Sequence, residues 1–129
     1  MSVVHERCAG IDVHKAMLTV YVQLPRDHHQ RLFRTDTASL LALVDWFQEW
    51  RVDDVAMEST GSYGKPIYNV LEGAGLRPVI GNATPMRGIP GRKTDVGDAD
   101  WICGLHRHGR IRPSYIPPRA QREMREAVR

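Results

Sequence analysis

Apolar side chains in the first part of the chain cluster and alternate as they do in β-strands. "RCAGIDVH" (7–14) and "MLTVYVQL" (17–24) are both rich in Val, Leu, Ile and Tyr, residue types that suit a pleated, half-buried surface. The short stretch His14–Ala16 between them fits a tight turn. "RLFRTD" (31–36) alternates apolar with polar and predicts a third, more exposed strand, which completes a three-stranded meander.

The period then changes. Leu40, Leu41, Val44, Phe47 and Trp50 recur at helical spacing, behind Thr37 or Ser39 as the cap. "DDVAME" (53–58) predicts a short buried strand that ends in an acid. "STGSYGKPIYNVLEGAG" predicts a helix from about Gly64 to Leu71 with a glycine stop at Gly73–Gly75, and "LRPVIG" (76–81) another short strand. A Gly/Pro-rich loop (82–92) leads into "KTDVGDADWICGLHRHG", a helix capped by Thr94 and stopped at Gly109. "RIRPSYIPP" reads as an extended linker, and "RAQREMREAVR" opens a helix with no stop signal. The order β-β-β-α-β-α-β-α predicts an α/β fold, a mixed five-stranded sheet with helices on its faces.

Composition narrows the class. A chain of 129 residues, 42% hydrophobic and 26% charged, suits one folded core rather than a disordered segment. No apolar run approaches the roughly 20 residues that span a bilayer, and "MSVVHERCAG" carries acid and base where a signal peptide has its apolar core. Cys8 and Cys103 form no CxxC pair and read as two free, buried thiols of a cytoplasmic protein. The net charge is only +3, but fifteen of the eighteen basic residues are arginine, and Arg107–Arg129 holds seven arginines against Glu123 and Glu126. Arginine favours bidentate contact with phosphate, which points to a nucleic acid. A GC-rich genome would produce the same bias.

Asp12 is the anomaly in this pattern. It sits between Ile11 and Val13 inside an apolar strand, where a carboxylate is costly unless a cation or hydrogen bonds satisfy it. Glu58 closes the fourth predicted strand, and Asp95 and Asp98 lie one turn apart on a predicted helix. In α/β sheets functional groups collect where strands end, so the four acids can converge there. Converging carboxylates repel unless cations neutralise them. Mg2+ or Mn2+, which favour oxygen ligands, would do so, and two such ions about 4 Å apart can clamp the attacking and leaving oxygens of a phosphodiester. Asp95, Asp98 and Asp100 would also suit a helix N-terminus without any metal, and spacing alone does not exclude Asp100. Lys15, Arg87, Arg92 and Lys93 flank the acidic motifs and are candidate phosphate contacts. His28–His29 and His106-x-His108 lack cysteines at zinc spacing and read as solvated, while Trp46, Trp50 and Trp101 fall on apolar helix faces and read as core.

"GIDVHK" (10–15), "MESTGSYG" (57–64) and "KTDVGDADWI" (93–102) resemble, in order and spacing, the N-terminal domain of the DEDD-type transposases of bacterial insertion sequences. The resemblance extends through "RPSYIPP" and the arginine-rich helix after it. It implies a ribonuclease H-like (RuvC-like) domain over residues 1–110, then a linker and the start of a truncated coiled-coil helix over 111–129. It also implies that Asp12, Glu58, Asp95 and Asp98 form a metal-binding catalytic quartet for DNA strand cleavage and exchange, with Asp100 outside the pattern. The family works with DNA and with a guide-like bridge RNA, assembles through a coiled coil, and carries a catalytic serine in a second domain. This chain is therefore expected to be the N-terminal piece of a longer protein, and Ser59 and Ser62 do not inherit the serine's role. Two rivals remain at this stage. Sugar-kinase or actin-like ATPases also carry an acid on the first strand, but need a glycine- and hydroxyl-rich turn where this chain has "HKAM". A non-catalytic nucleic-acid-binding or assembly module of the same fold would leave the acids as relics.

Overall fold

β1 (Cys8–Val13) and β2 (Met17–Gln23) are joined by a tight turn that the His14 amide closes on the Met17 carbonyl at 2.9 Å. In this computed structural model the structure describes residues 3–58, 64–81 and 98–111. β3 (His28–Arg34) pairs antiparallel with β2 and starts three residues earlier than alternation predicts. His28, His29 and Gln30 pair with Gln23, Val22 and Tyr21. Only Phe33 of this edge strand is buried, so its first half carries no apolar signal. Ring contacts hold it instead, His29 lying 4.2 Å from Trp50 and His28 5.5 Å from Tyr21.

α1 (Thr37–Glu49) is capped by Asp36, one residue ahead of Thr37 and three ahead of Ser39, the two expected caps. Its carboxylate accepts from the Ser39 amide at 3.0 Å and the Ser39 hydroxyl at 2.7 Å, so Ser39 is the donor of the cap and not the cap itself. α2 (Gly64–Gly73) and α3 (Asp98–Arg107) follow. The three helices of the described residues end alike. The amides of Val52, Leu76 and Arg110 return to the carbonyls of Phe47, Leu71 and Leu105, the six-to-one closure that needs a left-handed residue just before it. Gly75 and Gly109 supply it after α2 and α3, as the glycine stops predict. After α1 it is Arg51, at φ 56°, which is why the sequence carries no visible stop there.

The strands form one sheet in the order β3-β2-β1-β4-β5, with β4 (Asp54–Glu58) and β5 (Arg77–Gly81) parallel to β1. This is the mixed five-stranded sheet expected from the pattern. Pro78 sits in edge strand β5, where a missing amide costs least. One face buries Ala9, Ile11, Val20, Val55 and Met57 against Leu43 and Phe47 of α1 and Ile67 and Leu71 of α2. The other face carries α3, with Ile102 and Leu105 packed on Ala56. Cys8 and Cys103 are buried free thiols at that contact, 3.7 Å apart. Trp46 and Trp50 are half-buried against the main core, and Trp101 against the α3 cluster. Among the described residues no helix is long and apolar enough to cross a membrane. The linker and helix expected after residue 111, and the Thr94 cap, lie outside the described residues.

Candidate functional site

β1 and β4 run parallel and in register through the pair Ile11–Met57, and Asp12 and Glu58 are the next residue on each strand. Adjacent parallel strands lie about 4.8 Å apart, and side chains alternate between faces. Asp12 therefore shares a face with Cys8 and Gly10, and Glu58 shares it with Asp54 and Ala56. That is the α3 face and not the main core, so neither carboxylate is driven into hydrocarbon. Asp12 is 19% exposed, close to the rim, and its Oδ2 lies 3.1 Å from His14 Nε2. Glu58 is half-buried at the end of its strand.

α3 is placed against these acids by one glycine. A Cβ on Gly10 would fall on the Ala99 carbonyl oxygen and within 2.5 Å of the Cys103 nitrogen. Cys103 lies beside Cys8, and the Arg107 carbonyl accepts from the amides of Val4 at 2.8 Å and His5 at 3.1 Å. The helix thus runs antiparallel to β1, and its first residue, Asp98, starts at the strand ends where Asp12 and Glu58 stand. Lys15 is exposed in the turn directly after β1, at the same end. Asp95, Arg87, Arg92 and Lys93 lie outside the described residues, as does the side chain of Asp98. The donor set at this rim is carboxylate oxygen, which suits a hard divalent cation such as Mg2+ or Mn2+.

The opposite end of the α3 face holds groups that composition alone does not single out. His106, which reads as solvated from the sequence, is only 6% exposed. Its ring lies 4.5 Å from that of His5. His5 Nδ1 is 3.3 Å from Asp54 Oδ2, and Arg77 grips the same carboxylate through Nε at 2.9 Å and Nη2 at 3.1 Å. Burial would raise the Asp54 carboxyl, but Arg77, with His5 beside it, holds it below the usual range. The signal missed was Asp54 itself, an acid that opens a buried strand.

His106 makes a pH prediction for the metal-free protein. Burial, helped by repulsion from His5, pushes its imidazole from 6.5 down to about 4. Because the folded value is the lower one, the unfolded chain takes up the proton first. The contribution to stability is fully present above pH 6.5 and is lost as pH falls towards 4. The whole span amounts to about 3 kcal/mol at 1.36 kcal/mol per unit. Urea midpoints measured from pH 7 to 4.5 should fall steeply in the wild type and less in His106→Gln. Parallel curves would assign the acid sensitivity to other groups.

No curated protein sequence matches the chain. Among solved structures the chain resembles Thermus thermophilus RuvC in complex with a Holliday junction substrate, at 14% identity and a TM-score of 0.57, over 85% of this chain and 100% of that one. A second Thermus thermophilus RuvC structure matches at 13% identity and a TM-score of 0.56, over 84% of this chain and 99% of that one. Likeness at that identity establishes the fold, which is RuvC-like and hence ribonuclease H-like, as the sequence motifs imply. The family model of the IS110-type DEDD transposases, described as a transposase, matches residues 9–129. With that match spanning nearly the whole chain, the protein belongs to the IS110-type DEDD transposase family.

Proposed function

We propose that Asp12, Glu58, Asp95 and Asp98 form one carboxylate site that holds Mg2+ or Mn2+, and that this domain uses it to cleave and exchange DNA strands for a mobile insertion sequence. The observation that carries the reading is the register. Asp12 and Glu58 are the next residues after the Ile11–Met57 pair, and the helix that bears Asp98 starts at the same rim. When bound, the ions supply charge stabilisation to the oxygens of a phosphodiester in displacement. The chain's own residues do the rest. The carboxylates fix where a scissile phosphate sits, and His14 orients Asp12 through its second oxygen. Lys15, Arg87, Arg92 and Lys93 hold the flanking phosphates. A protein of the same fold is known in complex with a Holliday junction, which favours DNA as the polymer bound here.

The reading extends to organisation. Residues 1–110 form the catalytic domain, and 111–129 a linker and the first turns of a coiled-coil helix for self-association. The family resemblance adds a guide-like RNA as partner and a serine-bearing domain as the source of the nucleophile, all in the cytoplasm.

A melting experiment tests the metal site directly. An ion that binds only the folded state stabilises it by mass action, about 2.7 kcal/mol at a hundred times its dissociation constant. Millimolar Mg2+ or Mn2+ should raise the melting temperature of the wild type, and Asp12→Asn should blunt the rise. The same substitution removes one of the crowded charges, so the metal-free variant should melt no lower than the wild type. An equal metal response in both proteins would move the ion elsewhere.

A further inference from the structure

We propose that His5, Asp54 and His106 form a second metal site, for a zinc-class divalent ion, which fastens the segment before β1 to β4 and to the last turn of α3. The three residues come from three separate pieces of chain, and each offers a ligand atom within 4.8 Å of the others. Ligands about 2.1 Å from a tetrahedral ion stand roughly 3.4 Å apart. His5 Nδ1 and Asp54 Oδ2, at 3.3 Å, already have that separation, so only His106 has to close in.

His106 is the second, independent observation. Its side chain is more than nine-tenths buried, and its Nε2 has no hydrogen-bond partner among the described residues. A buried polar atom left unsatisfied costs on the order of 1–3 kcal/mol, and coordination through Nε2 is the arrangement that would remove that cost. The scaffold is also in place. His5 and Val4 are both tied by their amides to the Arg107 carbonyl, so the histidines are held side by side before any ion arrives.

Arg77 is the obvious objection, since its guanidinium grips Asp54. Its side chain is 65% exposed, so water screens its repulsion of an ion. Its Nε bond to Oδ1 can persist while Oδ2 gives up the Nη2 bond at 3.1 Å to face the metal, as carboxylate ligands are commonly held from behind. Two nitrogens and one oxygen select zinc, cobalt or nickel over magnesium. The two ends of the α3 face therefore differ in ligand hardness, all oxygen at Asp12 and Glu58 and mostly nitrogen here. With three protein ligands, a fourth position is left for water.

The test uses the whole chain, purified without a histidine tag and stripped of metal. Cobalt titration should give the visible absorption of a tetrahedral site at one equivalent, and zinc should displace it and raise the melting temperature. His5→Ala, at a half-exposed position before the first strand, and Asp54→Asn should each weaken zinc binding at least about tenfold. Asp12→Asn should leave zinc binding unchanged while losing the magnesium response, so this inference and the carboxylate site can fail separately. His14→Ala and His29→Ala remove the two other histidine–carboxylate pairs among the described residues and should bind zinc as the wild type does. Absence of stoichiometric binding would overturn the proposal, as would zinc affinity that survives both His5→Ala and Asp54→Asn or follows His14 instead.

Discussion

Asp12→Asn, placed in a transposase that joins this domain to the serine-bearing domain proposed above, is expected to lower DNA strand cleavage by at least about a thousandfold with the fold intact. Charge stabilisation by a catalytic ion is worth several kcal/mol, and each 1.36 kcal/mol is a factor of ten in rate. Asparagine matches aspartate in shape and keeps an oxygen for His14, whose Nε2 lies 3.1 Å away, so packing gives no reason for collapse. Glu58→Gln, Asp95→Asn and Asp98→Asn should behave alike. DNA binding should survive in all four, because phosphate neutralisation by arginine and lysine supplies most of that affinity. Arg92→Ala and Lys93→Ala should do the reverse, weakening binding and flattening its dependence on salt. Cleavage assays beside binding isotherms at two salt concentrations separate the cases. Wild-type cleavage by a quartet variant would make Asp12 a structural acid and leave a binding module.

Gly10→Ala should be the most damaging single methyl group in this domain. Replacing glycine with alanine in a strand ordinarily stabilises by about 0.4–1 kcal/mol through the unfolded state. Here the new methyl would meet the Ala99 carbonyl oxygen and the Cys103 nitrogen and Cα, all backbone. No rotamer change relieves such a contact, so either α3 lifts off the sheet or the strand shifts. Overpacking of this kind costs typically 1–3 kcal/mol and sometimes more, which outweighs the entropic gain. A fall in melting temperature of roughly 10 °C is expected. Gly104, on the same helix with nothing within 4 Å of its added Cβ, is the control, and Gly104→Ala should be neutral or stabilising. A Gly10→Ala protein as stable as the wild type would show that α3 is loosely seated.

The element order and the mixed sheet were legible because the period of the apolar positions changes at each boundary, from alternation in "MLTVYVQL" to helical spacing after Leu40. Asp12 was legible for the opposite reason, as a charge that no strand core would retain. What was not legible shares one cause: it depends on partners distant in sequence. His28–Gln30 look like a polar linker until Tyr21 and Val22 lie opposite them. Arg51 looks like an ordinary surface residue, yet it takes the left-handed place that closes α1. His106 looks solvated beside His108, but the fold turns it under His5 and away from water. The four acids point to a rim because the resemblance groups them, whereas spacing alone leaves Asp100 in contention.

α3 also has a mechanical consequence. Ten residues at 1.5 Å each make a rod about 15 Å long, clamped near its front at Gly10 and at its tail by the amides of Val4 and His5. A rod held at two points resists pivoting, so where α3 starts relative to Asp12 and Glu58 is set partly by residues at the far end of the sheet. The short arm before β1 thereby acts as a gauge block for the acidic rim. Trimming it would release the tail of α3 and so let the start of the helix shift beside Asp12 and Glu58.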